Sequence, residues 1–130
     1  MYLLDTNTVI YFFKGQGNVA QRLLSTRASE IAIAAVTVYE LEYGIAKSEN
    51  ARKRHTQFLH FLDEIEVIPF GMREAAEAGA IRASLEKKGT PIGPYDILIA
   101  ATAVSHNKIL VTRNIKEFTR VKGCSLENWY

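Results

Sequence analysis

Three carboxylates and one amide fall where a chain of alternating strands and helices would bring them together. Asp5 ends the apolar run Tyr2-Leu3-Leu4, Glu40 follows the run Ile31–Ala35, Asp96 precedes the apolar stretch Ile97–Val104, and Asn114 follows Ile109–Thr112. Each has an ordinary explanation alone. Asp5 or Thr6 could cap a helix by accepting from its orphan N–H groups. Thr37 and Glu40 have the spacing of a Thr-x-x-Glu capping box, which for Glu40 by itself is the stronger explanation. Asp96 and Asn114 also stand where caps stand. Jointly the residues weigh differently. Three carboxylates about 5 Å apart repel by about 3 kcal/mol per pair at an effective dielectric near 20, or about two pKa units. Ser or Asn would cap without that repulsion. A hard cation removes it, because Mg²⁺ or Mn²⁺ takes carboxylate and water oxygens. Such an ion can polarise a phosphodiester, generate hydroxide and stabilise the leaving oxygen. The expected chemistry is metal-assisted phosphodiester cleavage, with Asp5, Glu40 and Asp96 as metal ligands and Asn114 beside them in the catalytic site.

The elements that must position these residues follow from apolar spacing. Tyr2–Leu4, Ile31–Ala35, Val67–Pro69 and Ile109–Thr112 are short apolar runs expected to be buried strands. Helices are expected from about Thr6 through Phe13, over Asn18–Leu24, over Val38–Ile45, over Ala51–Leu62 and over Arg73–Lys88, the last ended by Gly89. Gly89-Thr90-Pro91-Ile92-Gly93-Pro94 is the strongest loop punctuation, and Asp96 then opens a helix that is apolar on nearly every side. Asn114–Phe118 is expected as a helical turn and Leu126–Trp129 as an edge strand. Alternation of this kind predicts an α/β fold with a mainly parallel sheet and helices on both faces. In such sheets ligands bind outside the carboxyl ends of the strands, the edge at which these polar residues fall.

Composition bounds the reading. The 130 residues, 48% apolar and 23% charged, suit one compact domain spanning 1–130. A net charge of +2 gives no broad basic field, so a nucleic-acid reading must rest on local sites. The single cysteine, Cys124, cannot form an intrachain disulfide, which fits a reducing cytoplasm. No apolar run is long enough for a membrane span, and Met1–Asp5 lacks the basic opening of a signal peptide. There is no P-loop, dinucleotide fingerprint or Gly-x-Ser-x-Gly elbow, and His55, His60 and His106 have no zinc spacing.

The motifs so assembled resemble those of PIN-domain ribonucleases, and more narrowly VapC-type toxins of toxin–antitoxin pairs. Leu4-Asp5-Thr6-Asn7 resembles the opening motif, and Val36–Gly44 the second, with Glu40 as the matching acid. Gly89–Asp96 with Ile99-Ala100-Ala101 is similar to the third motif, and Val111-Thr112-Arg113-Asn114 with Glu117-Phe118 to the fourth. The resemblance implies a three-layer α/β/α fold, a Mg²⁺ or Mn²⁺ site at Asp5, Glu40 and Asp96, and cleavage of structured RNA (tRNA or rRNA) that halts translation. It also implies a VapB-type antitoxin, operator DNA reached only through that antitoxin, and a homodimer. The chain departs from the family in carrying Asn114 where many members have aspartate, with Glu117 one turn later. Arg113, Lys116, Arg120 and Lys122, and Arg82, Lys87 and Lys88, are candidates to meet phosphates. A nuclease directed at other RNA or DNA, and a non-catalytic metal-binding module, remain open on the residues alone. The module reading expects a further acidic pair near the first strand and a lysine after the last, and neither is seen.

Overall fold

Leu3 and Leu4 illustrate how the sequence builds its layers. Successive strand residues point to opposite faces, and in the computed structural model, which describes residues 1–130, Leu3 joins one apolar cluster and Leu4 another. The same alternation holds for Ala32 against Ile31 and Ile33, and for Leu110 against Val111. The strands are β1 (Tyr2–Leu4), β2 (Ile31–Ala34), β3 (Glu66–Ile68), β4 (Ile109–Val111) and β5 (Leu126–Glu127). They pair in the order β3-β2-β1-β4-β5, and every pairing is parallel. Both sheet faces must then be covered, because the connections are crossovers.

One face carries α1 (Thr6–Lys14), α2 (Val19–Leu24), α3 (Ala35–Ala46) and α4 (Ala51–Glu64), through Val9, Val19, Leu41, Phe58 and Phe61. The other carries α5 (Met72–Lys87), α6 (Pro94–Ser105) and α7 (Ile115–Phe118), through Leu85, Ile99, Ala100 and Phe118. The result is the three-layer α/β/α arrangement expected from the alternation. The apolar α6 is central as expected, with Ile99, Ala100, Ala101 and Ala103 wholly buried. The expected edge strand at Leu126 is present, and Trp129 beyond it seals the α1–α4 face against Tyr2 at a ring distance of 5.0 Å.

Two boundaries differ from the sequence expectation, and both bear on the site. β2 ends at Ala34 and α3 starts at once at Ala35, upstream of Thr37. Likewise α6 starts at Pro94, whose fixed φ suits the first helical position, with Gly93 as its cap. No helix is long and apolar enough to cross a membrane.

Candidate active site

The sheet order reverses at β1, which lies between β2 and β4. At such a switch point the connections leave in opposite directions and open a crevice at the strands' carboxyl ends. Asp5 is the first residue beyond β1. Its N–H continues the ladder to the Val111 carbonyl at 3.0 Å, and the Thr8 hydroxyl donates to the same carbonyl at 3.1 Å. The Asp5 carboxylate accepts from the Thr8 N–H at 2.8 Å, so the capping explanation of Asp5 is correct as far as it goes. Yet the side chain is almost wholly buried, and burial raises its pKa against hydrogen bonds from Thr112 and Thr8 that lower it. An asparagine would cap as well without burying a charge.

Glu40 is not a capping residue. With α3 beginning at Ala35, Glu40 lies in the second turn and Thr37 is buried inside the helix. The Thr6 hydroxyl instead reaches across from α1, donating to Glu40 Oε1 at 2.6 Å and lying 3.2 Å from the Thr37 hydroxyl. The capping box predicted from Thr-x-x-Glu is thus replaced by a tertiary contact that aims Glu40 toward α1.

Asp96 is not a cap either. It occupies the first turn of α6 behind Gly93, Pro94 and Tyr95, and makes no capping hydrogen bond. Burial, then Asp5, then Glu117 and Glu40 push its pKa up from 3.8 to about 6. Those causes bring the predicted residues Asp5, Glu40 and Asp96 into one electrostatic neighbourhood, together with Glu117. Asn114 stands at the start of α7, but its side chain makes no cap; Nδ2 donates to Glu117 Oε2 at 2.8 Å. Its own N–H is held by the Thr112 hydroxyl at 3.0 Å. Asn114 therefore acts on Glu117, the fourth acid of the crevice.

As the side chains stand, no three His, Cys, Asp or Glu groups close on a point where an ion could sit. The donor set nevertheless fits a hard divalent cation: it is all carboxylate oxygen, and the repulsion recorded in Asp96 is what a cation relieves. Glu40 also has its Oε2 free of protein donors, the Thr6 bond being to Oε1. Thr6, Thr8 and Thr112 are the supporting residues that sequence reasoning missed as site residues. The pattern Asp5-Thr6-Asn7-Thr8 was the only available signal, since hydroxyls flanking a candidate ligand can hold it.

Other candidates lie elsewhere. Burial pushes the Cys124 thiol up to about 11, which leaves it unreactive. His106 pairs with Glu74 at 2.8 Å and His55 with Glu42 at 3.0 Å, so neither joins the crevice. Of the proposed phosphate contacts, Arg113 lies 3.6 Å over the Tyr130 ring, Arg120 donates to the Pro91 carbonyl at 3.2 Å, and Arg82 pairs with Glu86 at 2.9 Å. These three have structural employment. Lys87, Lys88, Lys116 and Lys122 are exposed.

Comparison with known proteins agrees with this geometry. A PIN-domain family model matches residues 2–123. The tRNA(fMet)-specific endonuclease VapC of Salmonella typhimurium is 36% identical over 128 residues, 98% of this chain and 97% of its own. Ribonuclease VapC2 of Rickettsia felis is 37% identical over 131 residues, 99% of this chain and 98% of its own. Among solved structures, DNA-bound VapBC from Salmonella typhimurium superposes with a TM-score of 0.93 at 36% identity, covering 99% of this chain and 98% of that one. VapBC2 from Rickettsia felis, bound to a DNA fragment from its promoter, gives a TM-score of 0.91 at 37% identity, with the same coverage.

Proposed function

The chain belongs to the PIN-domain family, among its VapC-type ribonucleases, and from that membership we propose that it is the RNA-cutting toxin of a VapBC-type pair, dependent on Mg²⁺ or Mn²⁺. The observation that carries the chemistry is the convergence of Asp5, Glu40 and Glu117 on Asp96, whose carboxyl they help raise to about 6. A divalent ion held by Asp5, Glu40 and Asp96 would supply a Lewis acid that activates water and stabilises charge on the phosphodiester oxygens. The chain's own residues fix the acids. Thr8 and Thr112 hold Asp5, Thr6 holds Glu40, and the first turn of α6 carries Asp96. Asn114 orients Glu117 at the rim.

The substrate of this reading is structured RNA of the translation machinery, tRNA or rRNA, so that cutting it inhibits translation in the cytoplasm. The Salmonella relative's description as tRNA(fMet)-specific favours tRNA. The partner is a VapB-type antitoxin, as the solved VapBC assemblies suggest, and operator DNA is met only through it. A groove of about 480 Å³ supports that partner. It opens beside Glu40 between α1, α3 and α4, with an apolar lining that includes Phe13, Leu41 and Phe58, and with Lys14, Lys53 and Arg54 among its polar residues. An amphipathic acidic segment fits such a groove. An arginine on that segment suits the crevice, because a guanidinium pairs with carboxylates through two hydrogen bonds at once. The toxin itself is proposed to act as a homodimer.

Matched RNA and DNA substrates test the reading. The purified chain should cut RNA in Mg²⁺, stop in chelator and leave DNA intact, and its induced expression in bacteria should arrest growth. Undiminished cutting in excess chelator would sink the metal mechanism. Harmless expression without any antitoxin would remove the toxin assignment.

A further inference from the structure

Three aromatic rings stand open beside the acidic crevice. Tyr39 is 56% exposed, Tyr43 61% and Tyr95 44%. None of them packs against either core cluster, unlike Tyr2 and Tyr11. Two are immediate sequence neighbours of the site acids: Tyr39 precedes Glu40, and Tyr95 precedes Asp96. The Tyr39 and Tyr95 rings meet edge-on at 5.6 Å and 60°, with their hydroxyls 3.3 Å apart. A ring from α3 and a ring from α6 are thereby held as one unit at the crevice. Tyr43 continues the stripe one turn along α3, and the Lys47 ammonium lies 4.7 Å over its ring. Positions 39, 43 and 47 are four apart and share one helix face.

We infer that this ledge, Tyr95 and Tyr39 continuing to Tyr43 and Lys47, stacks the unpaired bases that flank the phosphate being cut, while Lys47 meets a phosphate beyond them. The inference rests on the ribonuclease function proposed above and names the form of RNA it accepts. A cluster of carboxylates repels a polyanion, so affinity for RNA must come from groups around it. Stacking on exposed rings supplies that, at about ten- to a hundredfold in affinity per base, and it tolerates any sequence because every base has a π-face. Spacing then selects the strand. Side chains four apart on a helix are about 6 Å from each other, whereas bases in a regular duplex strand rise about 3.4 Å. Tyr39 and Tyr43 can each take a neighbouring base only if those bases are unstacked. Loops and bulges offer such bases, and paired stems do not. The Tyr39–Tyr95 pair would position the substrate without touching the reacting atoms.

The test separates binding from cutting. In the Asp5→Asn background, affinity is measured for a labelled hairpin RNA with an open loop and for a fully paired duplex of the same composition. Tyr39→Ala and Tyr95→Ala should each weaken binding of the loop by about tenfold or more, leave the duplex unaffected, and be rescued by tryptophan at position 39. With Asp5 intact, the same alanine variants should raise KM more than they lower kcat. Unchanged loop binding in both alanine variants overturns the ledge. So does a loss of binding that always accompanies a shift to a smaller species in sedimentation, which would assign the rings to a second copy of the chain. If the parent chain cuts RNA while the tyrosine variants bind as it does, only the ledge falls. If the parent neither binds nor cuts RNA, the proposed function falls with it.

Discussion

Asp5→Asn should inactivate the enzyme and at the same time stabilise the metal-free protein. The cap survives the change, since an asparagine Oδ1 accepts from the Thr8 N–H as the carboxylate does at 2.8 Å. The new amide hydrogens can turn to the Thr112 hydroxyl, which now hydrogen-bonds the acid. What disappears is a buried charge and its repulsion of Asp96. The rise of Asp96 from 3.8 to about 6 is about 3 kcal/mol at face value. Asp96 is only half-buried, so solvent screening reduces that to about 1–2 kcal/mol. Asp5 is the second cause of the shift after burial and accounts for a share of it. Adding relief from the buried Asp5 charge itself, the variant should gain about 1 kcal/mol, or a few degrees in Tm for a chain of this length.

Thermal melts in chelator and across a Mg²⁺ titration check this directly. The parent should gain Tm with Mg²⁺, because a ligand of the folded state stabilises it by mass action. Asp5→Asn should start higher and respond weakly, so the two curves converge or cross. Cleavage should fall by at least about a hundredfold, the upper end of what loss of a mere supporting group does. A variant that melts below the parent in chelator would mean that Asp5 is chiefly structural, and retained cleavage would remove it from the site.

Thr6→Val should lower cleavage while costing only about 1 kcal/mol of stability, because it removes the 2.6 Å bond that aims Glu40; unchanged kcat/KM would show that Glu40 needs no aiming. Asn114→Ala should reduce cleavage less than Asp5→Asn, since its amide acts through Glu117 at 2.8 Å; an equal loss would mean that the amide itself meets ion or substrate. In metal-free protein Asp96 has a raised folded pKa, so its contribution is fully present below about pH 4 and lost as pH rises through about 6. Asp96→Asn should remove that decline from melts across pH. Glu74 has the opposite sign. The Gly71 N–H and His106 hold its pKa down, so its contribution is present above 4.5 and lost as pH falls through the lower folded value, a loss that Glu74→Gln should abolish.

Features set by short-range pattern were legible before the fold was. The runs at Leu3, Ile33 and Leu110 predicted buried strands, and the unbroken apolar character of Ile97–Val104 predicted the central helix, because burial on all sides demands it. The acidic residues were legible as a set, since a parallel sheet delivers whatever follows its strands to one edge. Their partners were not. Thr6 and Glu40 are 34 positions apart, and Tyr39 and Tyr95 are 56 apart. No local spacing encodes such contacts. The capping box at Thr37 failed for a related reason. Ala34 passes from β2 into α3 with no loop, so the helix starts before the residue that looked like its cap. Cations were misjudged similarly: Arg113 and Arg120 hold Tyr130 and the Pro91 carbonyl, partners from distant segments.

Helix α3 joins these findings. At 3.6 residues per turn, Tyr39, Tyr43 and Lys47 form one stripe, and Leu41, Gly44 and Ile45 form the neighbouring one, with Glu40 between them. The first stripe is the ledge proposed for RNA, and the second lines the groove proposed for the antitoxin. A segment in the groove and a strand on the ledge would both end at Glu40, and so at the same carboxylates. Gly44 helps to open the groove, having no side chain and nothing within 4 Å of where one would begin. The two occupants need not overlap along their lengths to exclude each other. They need only compete for the crevice, where one brings a guanidinium to the acids and the other brings a phosphate that requires the ion. Inhibition of that kind weakens as Mg²⁺ rises, whereas simple covering of an RNA surface does not.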